Sequence, residues 1–468
     1  MIKKTIFLFS VLLLLTLQSP VFAAEDIMTI TKAAGYTEVL EKNKPKASIV
    51  IDGANGQILW EENAELVREP ASISKMMTVF LVFDAIKDGK LSLDTEIVAT
   101  EKDQKISQLY AISNNKIVSG VAYPVRELLK MVIVPSSNVA TVMLANAVSD
   151  NDAGLFINTM NEKAQKIGMK NTTFYNCSGA SATSFEGLYK PEGFDPNGSN
   201  TSTARDLATM VFFLLKEHPE VLDFTNQVEV TAMKGTPYEE TFETYNYSLP
   251  GAKYAFEGVD GLKTGSGPSS AFNYIATAKR GDTRLIEVIL GVGDWSDQDG
   301  EYYRHPFGNA LLKKAFDEYE YRLLLPKGQQ KIEGKTIQLD QDFYGVMKKN
   351  EEPKLALQDK QVVLANKKEQ LTEKMPRLSL NYQTVKTDQA KKEQLPSTSN
   401  SFTSIQKKNY LLPGIFAVLG IVLLFFPTKK NVFSRRKRSS KKRGRTMVKV
   451  AGTACLLVAL LFFIMTLL

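Results

Sequence analysis

The chain has 468 residues, of which 58 are Lys or Arg and 51 are Asp or Glu, and its formal net charge is +7. Residues 428–449 hold eleven Lys or Arg and no acidic residue, so the rest of the chain is acidic. This distribution argues against nucleic-acid binding, because the excess charge belongs to one short segment. Only two histidines occur, which argues against a His-rich metal site, and we expect neither a metal nor a cofactor.

The first residues have the pattern of a secretory signal peptide. Two lysines, Lys3 and Lys4, precede an apolar run over residues 6–17, and small residues follow as far as Ala24. This order is typical of a signal peptide that covers residues 1–24, while a retained membrane anchor is the alternative. Either interpretation predicts that the chain is exported.

The pattern that follows predicts an α+β domain over residues 25–327. Two β-rich runs around a Gly-containing turn at 47–60 read as a hairpin, and an apolar helix follows Pro70. Residues 120–220 are mostly helical in pattern, β-type runs return over 244–295, and an amphipathic helix is expected after Gly308. We expect the first hairpin and the last strands to share one sheet.

The remaining segments predict a small domain and a membrane anchor. Residues 410–427 and 450–468 contain no charged residue, and each is long enough to cross a hydrocarbon layer of about 30 Å. The basic loop between them predicts a cytoplasmic location, which leaves the residues before 410 outside the cell. The segments are, in order, a small β domain (328–383), a flexible linker (384–409), a first transmembrane helix (410–427), a basic loop (428–449) and a second transmembrane helix (450–468).

Ser72 and Lys75 are the first candidate catalytic pair. Ser-x-x-Lys occurs five times, beginning at Ser72, Ser113, Ser404, Ser434 and Ser439. The motif by itself therefore does not identify the catalytic pair. A lysine one helical turn after a serine can take its proton only if the amine is neutral, which requires burial and a nearby cation. Only Ser72 lies at the start of an apolar helix that follows a hairpin, so we predict that it is the nucleophile.

Two further motifs supply the groups that such a pair needs. Ser136 and Asn138 precede an apolar helix, and Lys263 belongs to a Lys-Thr-Gly at the end of a β-type run. Each has a simpler interpretation, a helix N-cap for the first and a turn for the second. The three motifs together, separated by 64 and 127 residues, favour an active site.

With these motifs the chain resembles the low-molecular-mass penicillin-binding proteins, which are serine-type D-alanyl-D-alanine carboxypeptidases. The resemblance covers about 30 to 325 and includes PASISKMMT, PSSNVA, TARDLA and VDGLKTG. It implies a β-lactamase/transpeptidase-like fold, and the small β domain with its anchor resembles the Gram-positive penicillin-binding protein 4 type. The family often has Thr where Ser74 stands, and Asn-Pro-Thr-Gly where residues 176–179 read Asn-Cys-Ser-Gly.

The resemblance also implies roles for the site residues. Ser72 would attack the substrate, Lys75 would be the base, Ser136 would protonate the leaving amine, and Asn138 would hold the substrate amide. Lys263 would lower the pKa of Lys75. The remaining candidates bind substrate, either its terminal carboxylate or its backbone: Thr264, Gly265, Ser266 and Arg205.

The implied substrates are peptidoglycan stem peptides ending in D-Ala-D-Ala, and β-lactams would acylate the same serine. The catalytic domain would act on the cell-wall side of the cell membrane. A DD-transpeptidase is the main alternative function, and a membrane-bound penicillin sensor or a β-lactamase ranks lower. The β-lactamase ranks low because no Glu-x-x-Leu-Asn follows Asn138 where class A enzymes would place it.

Overall fold

A computed structural model of the protein describes residues 25–385, and its strands and helices follow one another in the order that the sequence predicts. The helices are α1 (Ile27–Ala33), α2 (Lys75–Lys87), α3 (Glu101–Ser107), α4 (Val125–Ile133), α5 (Asn138–Val148), α6 (Ala153–Ile167), α7 (Ala204–Glu217), α8 (Leu222–Thr225) and α9 (Gly300–Glu318). The strands are β1 (Ala47–Asp52), β2 (Ile58–Glu62), β3 (Glu96–Val98), β4 (Ala122–Pro124), β5 (Glu229–Ala232), β6 (Glu240–Glu243), β7 (Val259–Gly267), β8 (Ala271–Arg280), β9 (Thr283–Val292), β10 (Tyr319–Leu325), β11 (Gly328–Ile332), β12 (Lys335–Leu339), β13 (Phe343–Lys348), β14 (Leu355–Gln358), β15 (Gln361–Leu364), β16 (Ser379–Asn381) and β17 (Gln383–Thr384).

The central sheet has five strands in the order β2-β1-β9-β8-β7. All neighbours in it are antiparallel, and β1 pairs with β9 so that Ile49 lies opposite Val288. The first hairpin and the last strands therefore share one sheet, and the predicted α+β arrangement is confirmed. The long connection between β2 and β7 carries most of the helices.

Side chains of the central strands alternate between two cores because successive residues of a strand point to opposite faces. Ile286 and Val288 of β9 pack with the helices α2, α4, α5 and α7 in the larger core. Leu285 and Ile289 of the same strand pack against α1 and α9 on the other face. The sheet is thus covered on both faces, and the helix that begins at Lys75 is buried in the larger core.

Helix α9 differs from its prediction. It begins at Gly300, eight residues before the expected start, and Pro306 lies inside it. The polar residues before Gly308 obscure the apolar periodicity on which the prediction rested. This difference matters for the site, because it adds Arg304 to the helix that packs on the sheet.

The last described part of the chain consists of short antiparallel strands around a separate small core, which includes Ile337, Phe343 and Val362. The segment 366–376 of this part lies against the β1–β2 hairpin, where the amide of Ile58 donates to the carbonyl of Glu369 at 2.7 Å. Leu371 and Met375 of the same segment belong to the larger core, on the helix-rich face of the central sheet. Residues 25–385 lie within one compact unit, and the predicted domain boundaries stay predictions.

Four predicted segments lie outside residues 25–385, together with nearly all of the linker: the signal peptide, the basic loop and the two transmembrane helices. Within the described residues, no helix combines the length and the apolar character that a bilayer span requires.

Candidate active site

Ser72 and Lys75 lie at the junction of two helical segments. A 3-10 turn over Ala71–Ser74 leads directly into α2, whose first residue is Lys75. The turn places the two side chains on the same side, and Lys75 Nζ lies 2.9 Å from Ser72 Oγ. The structure thus brings together the pair that the sequence predicts.

Lys75 is completely buried, and three oxygen atoms surround its amine. Besides Ser72 Oγ, they are Asn138 Oδ1 at 3.0 Å and the Ser178 carbonyl at 2.9 Å. A neutral amine has two N–H groups for the two carbonyl-type oxygens and one lone pair for the serine hydroxyl. Burial lowers the pKa of Lys75 to about 7, which makes this neutral form accessible near neutral pH.

Asn138 of the Ser-x-Asn motif contacts Lys75, and Ser136 lies two residues before it, at the entrance to α5. Ser136 is buried with a positive φ of 62°, and its hydroxyl oxygen has no hydrogen-bond partner among residues 25–385. The N-cap of α5 is Ser137, whose hydroxyl accepts from the amide of Ala140. Ser137 therefore caps the helix, and Ser136 does not.

Asn138 is held on both sides of its amide. Its Oδ1 accepts from Lys75, and its Nδ2 donates to the carbonyl of Ser113 at 2.8 Å. The role implied for Asn138 was to hold a substrate amide, whereas in this structure it fixes the position of the Lys75 amine. The loop at Ser113, which does not supply the nucleophile, is therefore close to the site through its backbone.

The Lys-Thr-Gly motif lies on β7, the edge strand of the central sheet. A Cβ on Gly265 would lie 2.6 Å from the Pro70 carbonyl and 3.1 Å from the Ser72 amide. Only glycine therefore allows β7 to approach the turn that carries the nucleophile. The sequence had suggested close approach of a substrate backbone at this glycine, and the structure shows close approach of the protein's own backbone.

Lys263 is buried beside these groups, and its Nζ donates to the Thr264 carbonyl at 3.1 Å. Burial, together with the positive charges of Lys75 and Arg304, lowers the pKa of Lys263 well below its usual range. The sequence had predicted that Lys263 is the cause of the low pKa of Lys75. Burial is what lowers the pKa of Lys75, and it is also the largest cause of the lowered pKa of Lys263.

Arg304 is the site residue that the sequence analysis missed. It lies on α9, is only 1% exposed, and donates from Nη1 to Ser266 Oγ at 2.9 Å. Burial lowers its pKa to about 10, so the guanidinium stays charged at neutral pH. No sequence motif marks it, and the expected helix start after Gly308 left it outside α9.

Arg205 does not join the site, which corrects its assignment to the substrate carboxylate. It forms salt bridges with Glu61 at 2.9 Å, Glu65 at 2.5 Å and Glu369 at 3.3 Å. Glu61 belongs to β2, the edge strand opposite β7 in the sheet. Three carboxylates already neutralise this guanidinium, so it is not available for a substrate carboxylate.

One group of side chains away from the site has the chemistry of metal ligands. Asp84, Glu217 and His218 bring a nitrogen and two carboxylates close together. The Lys163 amine lies 2.9 Å from Asp84 and 3.0 Å from Glu217, however. The group is therefore an ion-pair cluster at the far end of α2, and no step of the chemistry is assigned to it.

The three-motif site lies in a chain that matches a known family. The family model described as D-alanyl-D-alanine carboxypeptidase matches residues 34–294, which is more than half of the chain. The chain belongs to this family. The family and the enzyme class predicted from the sequence, a serine-type D-alanyl-D-alanine carboxypeptidase, are confirmed. A second model, described as a domain of unknown function, matches residues 321–383.

Curated members of the carboxypeptidase family have moderate similarity to this chain. The carboxypeptidase DacF of Bacillus subtilis is 27% identical over 71% of this chain and 75% of its own length. DacC of Escherichia coli is 33% identical over 53% of this chain, which spans 56% of that relative. The alignment thus covers just over half of DacC and three quarters of DacF.

Solved structures of penicillin-binding proteins share the fold. PBP3 of Streptococcus pneumoniae, titled a peptidoglycan synthesis regulatory factor, aligns over 72% of this chain and 97% of its own, with a TM-score of 0.63 and 22% identity. Penicillin-binding protein 6B of Escherichia coli aligns over 70% of this chain and 93% of its own, with a TM-score of 0.54 and 25% identity. These likenesses support the predicted transpeptidase-like fold.

Proposed function

We propose that this chain removes the terminal D-Ala from peptidoglycan stem peptides that end in D-Ala-D-Ala, through an acyl-enzyme on Ser72. The observation that carries the proposal is the 2.9 Å contact between Ser72 Oγ and the amine of Lys75. A fully buried lysine with a pKa of about 7 is a suitable base for a serine hydroxyl.

Acylation starts when Lys75 takes the Ser72 proton and the serine oxygen attacks the carbonyl carbon of the penultimate D-Ala. The backbone N–H groups of Ser72 and Ser266 stabilise the oxyanion, a contribution worth about 3–4 kcal/mol for each donor. As the C–N bond breaks, Ser136 gives its proton to the leaving D-Ala amine and receives in return the proton that Lys75 took from Ser72, so that Lys75 is neutral again. Water then hydrolyses the ester and restores the serine hydroxyl.

The substrate carboxylate binds at the end of β7. Arg304 supplies the positive charge there in place of Arg205, and Thr264 and Ser266 supply hydroxyl groups. The contact of Arg304 with Ser266 Oγ supports this role, since the guanidinium and the hydroxyl face the same position. Gly265 contributes by allowing β7 to lie next to Ser72.

Cross-linking is the second candidate activity, because an amine of another stem peptide can replace water in deacylation. β-lactams, which imitate the D-Ala-D-Ala end, would form an ester on the same serine. The predicted spans would hold the catalytic part on the cell-wall side of the membrane.

The test uses the full-length protein in detergent with a stem peptide that ends in D-Ala-D-Ala, and it follows free D-Ala and product masses. We expect release of one D-Ala per shortened peptide, and complete loss of release in Ser72→Ala. Ser404→Ala, which removes another Ser-x-x-Lys serine in the predicted linker, serves as the matched control. Covalent binding of one penicillin without any D-Ala release would favour a sensor instead, and rapid penicillin turnover would favour a β-lactamase.

A further inference from the structure

An exposed tryptophan lies next to the proposed carboxylate-binding position. The ring of Trp295 stacks on that of Phe272, with centroids 5.4 Å apart and planes 23° from parallel. Phe272 is fully buried, whereas 37% of Trp295 is exposed. One side of a rigid aromatic ring is therefore packed while part of its surface faces solvent, which is an arrangement suited to binding a ligand group.

The register of the sheet relates this tryptophan to the site. Phe272 of β8 lies directly opposite Ser266 of β7, and side chains of such a pair lie on the same face of a sheet. Ser266 in turn contacts Arg304, the cation proposed to bind the substrate carboxylate. Phe272 thus connects the two, because it pairs with Ser266 across the strands and stacks on Trp295.

The chemistry of the reaction indicates which ligand approaches the enzyme on the side of Ser266 and Arg304. The carboxylate at Ser266 and Arg304 belongs to the terminal D-Ala, which is the leaving group. An amine that deacylates the enzyme forms the same kind of bond that the leaving group broke. By microscopic reversibility it must reach the ester carbon from the side that D-Ala has left. This is the side on which Ser266 and Arg304 lie, and Trp295 is related to them through Phe272.

The charges around Trp295 are mostly negative. The surrounding loop, residues 293–299, contains three aspartates and no basic residue, and Glu301 follows in α9. Asp297 is paired with Lys42 at 2.6 Å, whereas Asp294 and Asp299 are exposed and form no salt bridge within residues 25–385. Cations are also close by: Lys46 near Asp294, Lys42 near Asp299, and Lys253, whose amine lies 4.2 Å from the ring centre of Tyr302.

We propose that Trp295, assisted by Asp294 and Asp299, binds an amine-bearing acceptor peptide with further positive charge. This contact decides how the acyl-enzyme divides between water and the acceptor. The proposal rests on the proposed Ser72 acyl-enzyme and adds to it a selectivity for the acceptor.

The step that the acceptor completes is an aminolysis of the Ser72 ester. The acceptor ammonium loses one proton to solvent, and its nitrogen then attacks the ester carbon. A C–N bond forms, the bond from that carbon to Ser72 Oγ breaks, and a second proton from the nitrogen returns to Ser72 Oγ by way of Lys75. No oxidant or additional reactant is required.

The experiment measures the ratio of transferred to hydrolysed product formed by the full-length protein. The donor is an N-acetylated stem peptide with a blocked side-chain amine, so it cannot act as its own acceptor. Three acceptors of similar size are compared at equal concentration: D-lysine, D-glutamine and D-glutamate. Because both products come from one acyl-enzyme, their ratio does not depend on the rate of acylation.

We expect wild type to prefer D-lysine over D-glutamine and D-glutamate. Trp295→Ala should lower the transfer ratio about fivefold for all three, as expected for a lost aromatic contact, and Trp295→Phe should restore most of it. The double variant Asp294→Asn, Asp299→Asn should remove the preference among the three acceptors. Tyr344→Ala, which removes another exposed and stacked ring, and Asp282→Asn, at the opposite end of β8, are the matched controls.

An unchanged ratio in Trp295→Ala would overturn the proposal, and so would a fall of the same size in the two controls. An acceptor preference that persists in the double aspartate variant would overturn the part assigned to charge. Failure of the wild-type protein to release any D-Ala would instead contradict the proposed function, so the two failures are distinguishable.

Discussion

Lys75 is fully buried below the nucleophile, and burial lowers its pKa to about 7. Two carbonyl-type oxygens, from Asn138 and Ser178, accept its N–H groups and orient the lone pair toward Ser72. The same buried position therefore supplies both the geometry and the protonation state of the base. Cys177, which precedes Ser178, is buried as well, and burial raises the pKa of its thiol to about 11.

The pH dependence of the reaction should follow this lysine. We expect kcat/KM for a D-Ala-D-Ala peptide to rise with pH until about 7, and to fall about tenfold for each unit below that value. The sign follows from the chemistry, since below its pKa Lys75 already holds a proton and cannot accept one from Ser72. A steady-state pH profile measures the effect. A flat profile between about pH 5 and 7 would contradict the role of Lys75 as the base.

Two arginines of the chain provide a contrast at the residue scale. Arg304→Ala should lower kcat/KM about 10- to 100-fold, the size expected for a lost charge-assisted hydrogen bond of about 1.5–3 kcal/mol. Arg205→Ala should leave kcat/KM close to wild type, because three glutamates hold that side chain elsewhere.

A substrate with an amidated C-terminus shows whether Arg304→Ala loses activity because it cannot bind the carboxylate or because the variant is misfolded. The loss in Arg304→Ala should largely disappear with that substrate, since it has no carboxylate for the guanidinium to bind. An equal loss with both substrates would indicate a structural role instead.

At the scale of elements, the segment 366–376 joins the small strands to the catalytic part. Its backbone pairs with the β1–β2 hairpin at Ile58 and at Gly56, where Leu371 N donates to the carbonyl oxygen at 3.0 Å. Met375 packs so closely on Gly56 that a Cβ there would lie 2.7 Å from its sulfur. The sequence predicted a small β domain for residues 328–383, and these contacts attach that part of the chain to the part that carries Ser72.

Truncation of Met375 should therefore destabilise more than the small strands. We expect Met375→Ala to lower the free energy of unfolding by about 2–3 kcal/mol, because it leaves a cavity in the larger core. Denaturant unfolding followed by tryptophan fluorescence measures it, since both tryptophans, Trp60 and Trp295, lie in the catalytic part. Leu323→Ala, at a residue that is 44% exposed, is the control. A fluorescence transition at the wild-type midpoint would show that the segment contributes nothing to the catalytic part.

At the scale of the whole molecule, the sequence alone predicts the membrane topology, since both predicted spans lie outside the described residues. Two uncharged segments around a loop with eleven basic residues predict a catalytic part outside the cell and a cytoplasmic loop. This arrangement would keep the enzyme next to the peptidoglycan on which its family acts.

Protease added to cells without their wall tests this topology. We expect it to digest the catalytic part while residues 428–449 stay protected until the membrane is dissolved. An epitope tag within the loop and another near residue 26 would report the two sides. Cleavage of the loop in intact cells would contradict the predicted orientation. Protection of a third tag placed at the C-terminal end would show that the second span does not return to the outside as predicted.

The sequence by itself determined the family, and it predicted the nucleophile and the base. Ser72 and Lys75 are one helical turn apart, so their proximity follows from local geometry, and their apolar helix predicts burial. The order of the three motifs added Ser136 and Lys263 to the same site. These features could be predicted because each depends on a short stretch of chain.

Only the tertiary structure shows which of the two arginines contacts a residue of the Lys-Thr-Gly strand. Arg205 and Arg304 are both helical arginines, and their difference arises from partners far away in the chain: Glu61 and Glu369 for one, Ser266 for the other. The requirement for glycine at position 265 also arises from a contact with the turn at Pro70. Such contacts form when separate elements pack on the sheet, and because packing brings together residues that no local periodicity relates, the sequence alone could not reveal them.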